Sequence, residues 1–394
     1  MRVQILSPCD IFPPVHGSST AIYHTVRELA DRHRLLLLLN TLYGEGGEPD
    51  LVHPNLTIRY ARETPLDRLG YKGLLFNPAY VRDAERLWRE AGSADIIQAE
   101  LLWSWPAAAW LRRRFGAPIV LVQENVEYLK FQRMGLDSPL LPVIRRIEGW
   151  ACRSADHVVA VSDVDAGFLQ DIYGVPAEKI TVISHCADPV TFRYRPNGAA
   201  HVRRQLGIAP DAPLLTFVGK LDYVPNVEAV RYIAETLRPA VLPEHPGTVF
   251  LMIGQKFEPL LGYQNEQLRF AGFVDGRAQA SPNLADYLSA SDLVLVPLTS
   301  GSGTRLKILE AASCARPIVS TRIGAEGQQF RHGEEIWLTD HADAEFTAAV
   351  LHLLADRPQR ERLSHGARQR VETQYTWAEE VRKFEAIYES LRLR

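Results

Sequence analysis

Little in this chain could hold it together covalently or carry redox chemistry. Its 394 residues include four cysteines, Cys9, Cys152, Cys186 and Cys314, and no C-x-x-C pair. That spacing excludes a disulfide frame or a zinc ribbon and reads as the reduced thiols of a cytosolic protein. No run approaches the ~18 apolar residues that a membrane-spanning helix needs. Neither sign of charge dominates: 44 Lys and Arg stand against 47 Asp and Glu, a net charge of −3, so no basic field argues for nucleic acid. There is no Walker A segment, no complete G-x-G-x-x-G, no H-E-x-x-H and no paired histidine cluster. A P-loop NTPase, a standard NAD enzyme and a histidine metal site are thereby set aside. Short repeats and low-complexity segments are missing as well. The opening MRVQILSPCD reads as a short strand and not as a leader, which leads us to expect a cytoplasmic protein, at most peripheral to a membrane.

What is present is an alternation of strand and helix. Hydrophobic content of 46% and charged content of 23% are ordinary for a globular protein, and the length implies two or more domains. Short apolar runs occur at 3–6, 35–39, 95–98, 118–122 and 157–161, and again at 214–218, 249–253, 268–270, 293–296, 317–320 and 336–338. Between them lie segments of helical period, among them 18–31, 78–91, 141–155, 226–237 and 342–355. Continuous apolar strands separated by helices imply parallel sheets covered on both faces. Two Rossmann-like α/β halves are expected. Residues 188–197 (DPVTFRYRPN), where turn residues collect and periodicity lapses, form the boundary. The expected division is 1–187, 188–375 and a final helix, 376–394.

The densest chemistry lies at 292–321, DLVLVPLTSGSGTRLKILEAASCARPIVST. A buried strand leads into a small-residue loop with Gly301 and Gly303, then a helix with Arg305 and Lys307 in its first turn and one acid, Glu310. A second strand closes the unit. Unpaired amides and the dipole at a helix start favour anions, and small loop residues let a phosphate approach the backbone. Glu310 lies further along the helix, where a carboxylate repels phosphate but can hydrogen-bond a ribose diol. The plain counterpart is an ordinary βα loop and a solvated helix acid. A D-x-D pair, Asp163 and Asp165, could hold a divalent ion. However, Ser162-x-x-Asp165 before a helix matches a capping box, so the pair reads as a cap.

Three segments together resemble one family, the retaining glycosyltransferases of GT-B fold and family-4 type. S-G-T-R-L-K-I-L-E-A-A-S-C-A-R-P-I-V (302–319) is similar to the family's E-G-F-G-x-x-x-x-E-A-x-A-x-G-x-P-V-V. PPVHGSSTAIYHTVRELA (13–30) resembles its first loop and helix, and TFVGKLDYVPN (216–226) its F-V-G-R/S-x-x-x-x-x-N segment. Weaker echoes, in order, extend over nearly the whole chain.

The resemblance implies two Rossmann-like domains facing across a cleft. The first is on the acceptor side, the second binds a nucleotide-sugar, and the last helix returns to the first domain. It implies a hexosyltransferase that moves a sugar from a nucleotide diphosphate donor to a hydroxyl of a glycan, glycolipid or small molecule. Anomeric configuration is retained, and no metal or other cofactor takes part. Glu310 would hold the ribose hydroxyls and the amides of Gly303 and Thr304 the diphosphate. Lys220 would add a cation, Gly17 and Ser18 would approach the diphosphate, and Phe273 would lie near the base. Plain counterparts are a solvated strand end for Lys220, a turn for Gly17, core for Phe273 and a helix N-cap for Asn226.

The chain departs from the family in two places. Ser302 stands where the family has its first glutamate, with Arg305 and Lys307 available to take over part of that work. In VQENVE (122–127), Glu124 stands where the family commonly has histidine. A carboxylate there could stabilise a cationic centre or accept the acceptor's proton, or be a surface acid. LLWSWPAAAWLRRRF (101–115) and Arg145, Arg146 and Arg153 combine aromatic and basic residues that could meet an anionic membrane, the plainer reading being a packed helix. A sugar-nucleotide epimerase of the same fold and a catalytically silent transferase-like subunit are the alternatives.

Overall fold

The computed structural model describes residues 1–41, 49–135, 139–277 and 280–393. The chain forms two compact units, one of residues 1–185 with 377–394 and the other of residues 186–376.

The first unit holds seven parallel strands: β1 (Arg2–Ser7), β2 (Arg34–Leu39), β3 (Leu56–Tyr60), β4 (Ile96–Glu100), β5 (Ile119–Gln123), β6 (His157–Ala160) and β7 (Ile180–Val182). Their order in the sheet is β3-β2-β1-β4-β5-β6-β7. The second holds six: β8 (Leu214–Val218), β9 (Val249–Ile253), β10 (Leu268–Gly272), β11 (Leu293–Val296), β12 (Ile318–Thr321) and β13 (Trp337–Thr339), in the order β10-β9-β8-β11-β12-β13. Most central strands are apolar on both faces, β1 and β4 being interrupted by the buried Gln4, Gln98 and Glu100. In β2, Leu35 to Leu39 are all buried, each contributing roughly 1.5–3 kcal/mol to burial. Helices cover both sides, as parallel sheets require.

Two strands went unread in the sequence, β3 and β7, and both are sheet edges. β3 is half-exposed with Arg59 and Tyr60 facing water, and β7 has three residues, all half-buried. Edge strands lack the continuous apolar run that marks a buried one.

Each sheet has one place where strand order reverses, between β1 and β4 in the first unit and between β8 and β11 in the second. Connections leave the carboxyl ends of these strands in opposite directions, and open α/β sheets bind ligands in the crevice so formed. The last helix, Trp377–Arg392, belongs to the first unit and packs on the helix Gly17–Ala30. Trp377 stacks on His24 with ring centroids 5.2 Å apart, Arg32 meets Glu385 at 2.8 Å, and the Tyr388 hydroxyl donates to the Gln98 side chain.

Ser162 caps the helix Asp163–Tyr173, its hydroxyl accepting from the Asp165 amide at 3.0 Å and donating to the Asp165 carboxylate at 2.5 Å. Asp165 is thus engaged as a cap. Asn226 is not one. The helix Val224–Tyr232 opens two residues earlier, with Tyr223 at its N-cap and Pro225 in its first turn. Proline suits that position because its missing N–H is not needed there, and this leaves Asn226 inside the helix, facing inward.

Candidate active site

At the β8–β11 crevice two loops meet. The first, Gly219 to Tyr223, follows β8. An added Cβ on Gly254, which follows β9, would lie 1.8 Å from the Gly219 carbonyl oxygen, so the two backbones approach as closely as glycine allows. Lys220 projects from this loop and pairs with Asp222, 3.5 Å from its carboxylate, which also meets Lys256 at 3.4 Å.

The second loop follows β11. Thr299 and Ser300 donate from their hydroxyls to Glu228 at 3.1 and 3.3 Å. Gly301 and Gly303 have φ of 105° and 74°, in the region that favours glycine. The helix then opens at Leu306 with Arg305 at its N-cap. This shifts the sequence reading: Gly303 and Thr304 belong to the approach loop, because two positive φ values cannot continue into a right-handed helix. Arg305 likewise precedes the first turn, and its guanidinium donates to the carbonyls of Ser302 and Gly303. The Ser302 hydroxyl is buried and without a hydrogen-bond partner.

Lys307 and Glu310 lie on the helix Leu306–Ser313, three residues apart and on one face. The Lys307 ammonium donates to the Asn226 side-chain oxygen at 3.0 Å and sits 4.2 Å from the centroid of the Phe217 ring. Burial, reinforced by the charge of Arg305, pulls its pKa down to about 7, against the opposing pull of Glu310. Glu310 is half-buried. Burial pushes its carboxyl up to about 7, and Lys307 offsets part of that. The crevice thus collects three cations: Lys307 beside Glu310, Lys220 paired with Asp222, and Arg305 turned to the carbonyls of its own loop. Phe273 is 41% exposed, so the core reading does not hold. It follows the edge strand β10, two strands or about 10 Å from β8, and the structure does not bring it into the Lys307 group.

The β1–β4 crevice has the opposite sign. Glu124 follows β5 and is 4% exposed, so it is no surface acid. Burial raises its carboxyl to about 7, the Ser18 hydroxyl that hydrogen-bonds to it lowering it and the Glu127 charge raising it. Ser18 lies in the first turn of the helix Gly17–Ala30, whose cap His16 accepts from the Ser19 amide through Nδ1. Gly17 is exposed, and a Cβ there would meet nothing within 4 Å, so no turn geometry demands glycine.

Sequence reasoning missed Glu100 and Asp10 here. Glu100 ends β4 and is pushed up to about 8, mainly by burial, with the Glu124 charge adding to it and Gln98 opposing. Asp10 follows β1, accepts from the Phe12 amide and the Tyr60 hydroxyl, and is also raised by burial. The signal for Glu100 was legible in IIQAE, where Gln and Glu interrupt an apolar run that is buried throughout. Trp103 and Trp105 are core, and Trp110, though exposed, donates to Glu85 at 2.8 Å. The segment 101–115 is therefore a packed helix and its approach.

Residues 15–190 match the family described as Glycosyltransferase Family 4, and residues 212–356 match Glycosyl transferases group 1. A D-inositol 3-phosphate glycosyltransferase from Thermobispora bispora is 29% identical over 353 residues, spanning 86% of this chain and 81% of the relative. Another from Geodermatophilus obscurus is 28% identical over 396 residues, spanning 94% and 84%. Among solved structures, a sucrose-phosphate synthase from Thermosynechococcus elongatus superposes with a TM-score of 0.80 at 20% identity, covering 99% of both chains. Anabaena HepE in complex with UDP-glucose gives 0.74 at 16% identity, covering 99% of this chain and 100% of the other. Fold and matches together define the class: the chain is a glycosyltransferase of the GT-B type.

Among the described residues no helix is long and apolar enough to cross a membrane.

Proposed function

We propose that this protein transfers a hexose from a nucleoside diphosphate sugar to an acceptor hydroxyl, with retention at the anomeric carbon and without a metal ion. The observation that carries the reading is the β8–β11 crevice, where the loop after β8 presents Lys220, the loop after β11 presents Arg305, and the helix Leu306–Ser313 presents Lys307 beside the half-buried carboxyl of Glu310. Cations there meet a diphosphate. The Glu310 carboxyl, held beside Lys307 in the free protein, can accept hydrogen bonds from the ribose hydroxyls of a bound donor. That Anabaena HepE is solved with UDP and with UDP-glucose makes a uridine donor the first to try.

The second unit holds the donor and the first the acceptor. In the transfer, the bond between the anomeric carbon and the diphosphate oxygen breaks, with the electron pair leaving on the phosphate. Lys220 and Lys307 stabilise that charge as it develops. The acceptor oxygen bonds to the same face of the carbon and its proton passes to the departing phosphate. Glu124 is assigned the catalytic role in the first unit, its ionised form stabilising positive charge that develops at carbon. Ser302 and Arg305 set which sugar is accepted, and Gly17 and Ser18 approach the diphosphate. Curated relatives named for D-inositol 3-phosphate make a phosphorylated polyol one acceptor class to try; glycans and lipid-linked sugars are the others. Leu140, Val143 and Trp150 are exposed close in sequence to Arg145 and Arg146, which supports peripheral contact with anionic lipid, to be read by liposome co-sedimentation.

Calorimetric titration with UDP, GDP and ADP and their glucose conjugates tests the site. Glu310→Ala and Lys220→Ala should each weaken binding about tenfold, the worth of one charge-assisted hydrogen bond; if neither does, the donor site lies elsewhere. Chelator should leave turnover intact. NMR of donor with and without acceptor separates transfer with retention from epimerisation, which alone converts donor in the absence of acceptor.

A further inference from the structure

The sequence left Asn226 between a ligand contact and a helix cap, and the structure removes the cap. Its side chain is 6% exposed and spans two elements. The amide nitrogen donates to the Lys220 carbonyl at 2.9 Å and the amide oxygen accepts from the Lys307 ammonium at 3.0 Å. A carbonyl can only accept and an ammonium can only donate, so the two partners fix the orientation of the amide. No other side chain of this size serves both. An ionised aspartate would oppose the Lys220 carbonyl, and an apolar isostere would abandon both partners. Gly219 belongs to the same arrangement, since a Cβ there would lie 2.7 Å from the Asn226 nitrogen and 3.0 Å from the Lys307 ammonium. The cation is thus held against bare backbone at the carboxyl end of β8, over the ring of Phe217. Arg305, by contrast, directs its guanidinium at the carbonyls of its own loop.

We propose that Asn226 is a positioning residue that fixes the Lys307 ammonium beside the Gly219–Lys220 backbone, so that the loop after β8 and the helix Leu306–Ser313 read one terminal phosphate together, while Arg305 braces the loop. The proposal rests on the nucleotide-donor reading of the same crevice and adds which cation does the reading and what aims it. A nucleoside diphosphate then gains over its monophosphate chiefly through Lys307. Removing Asn226 costs that gain and leaves recognition of the base, ribose and first phosphate in place.

The test is a set of titrations of the full chain with UDP, GDP and ADP and the matching monophosphates, read as the ratio of the two dissociation constants. Asn226→Ala and, as a smaller perturbation that keeps a hydroxyl, Asn226→Ser should lower the preference for diphosphate about tenfold. Binding of the monophosphate should move less than twofold. Lys307→Met reads the same coupling from the other partner, and Asn226→Ala added to it should cost nothing further, because the amide then has no cation to aim. An unchanged preference in the asparagine variants, or additive effects of Asn226→Ala and Lys307→Met, overturns the proposal with the donor reading intact. A wild-type protein that binds no diphosphate more tightly than its monophosphate overturns both.

Discussion

The two crevices are built alike and charged oppositely. Each lies where strand order reverses in a parallel sheet, each receives a loop from the carboxyl end of the first strand of its unit, and each is flanked by the amino end of a helix. The crevice of the second unit presents Lys220, Arg305 and Lys307, with Glu310 beside Lys307 and Asp222 beside Lys220. That of the first gathers Asp10, Glu100 and Glu124, all buried and all with pKa raised by that burial. The backbone plan therefore supplies a place to bind and nothing more; the side chains decide what is bound. Cations near a helix start suit a diphosphate, whereas buried carboxyls suit hydroxyl groups and, when ionised, positive charge developing at carbon.

The sharpest way to break the comparison is to unmake the acidic side alone. Glu148, fully buried, accepts from the amides of Glu127 and Tyr128 at 2.7 and 3.0 Å, from the Gln123 side chain at 3.1 Å and from the Tyr173 hydroxyl at 2.5 Å. It thereby ties down the segment that carries Glu124. Glu148→Ala leaves two backbone donors without a partner in the interior and should cost about 3 kcal/mol, seen as a lower urea midpoint. Nucleotide binding by the second unit should survive below the transition. Loss of both together would mean the units do not act separately.

Next in size is pH. Burial, helped by the charge of Arg305 and opposed by Glu310, pulls the Lys307 ammonium down to about 7 in the free protein. A phosphate needs the ammonium, so UDP affinity should fall as pH rises above 7, by up to about tenfold per pH unit. Lys307→Arg, which stays charged, should flatten the profile. On the acidic side the sign reverses. Glu124 stabilises positive charge only when ionised, so kcat should rise with pH through about 7, and Glu124→Gln should remove that limb. Stability moves the other way. A carboxyl raised in the folded state binds more protons than in the unfolded chain, so its contribution is greatest below the usual carboxylate range and is lost as pH climbs towards 7. A urea series from pH 5 to 8 on wild type and Glu124→Gln reads this directly. The wild type should lose more stability than the variant across that interval.

How much of this was legible in the sequence follows from where each signal sits along the chain. The central strands, continuous and apolar, could be read; the edges β3 and β7, half-exposed and short, could not. Glu310 and Lys307 announced themselves because a strand, loop and helix in sequence order brought them to one turn. Asn226 did not, because its meaning depends on a lysine 81 residues away and its own neighbourhood spelled a helix start. Glu124 could be placed by its strand, but whether it was solvated or buried depended on the tertiary packing that also brings the Ser18 hydroxyl to it. No local pattern encodes that.

The smallest expected effect on stability is also the most discriminating for the first loop. Gly17 has no steric need for glycine, since a Cβ there meets nothing within 4 Å, and its φ lies outside the left-handed region. Gly17→Ala should therefore leave the urea midpoint within about 0.5 kcal/mol of wild type or slightly raise it, alanine being the better helix former at the first position of Gly17–Ala30. If the residue is small only to let a diphosphate approach, the methyl group costs the ligand and not the fold. The KM for the donor should then rise severalfold while the melting curve stays put. An unchanged KM would make Gly17 an ordinary helix start, and Ser18, through its hydrogen bond to Glu124, would be what the first loop contributes.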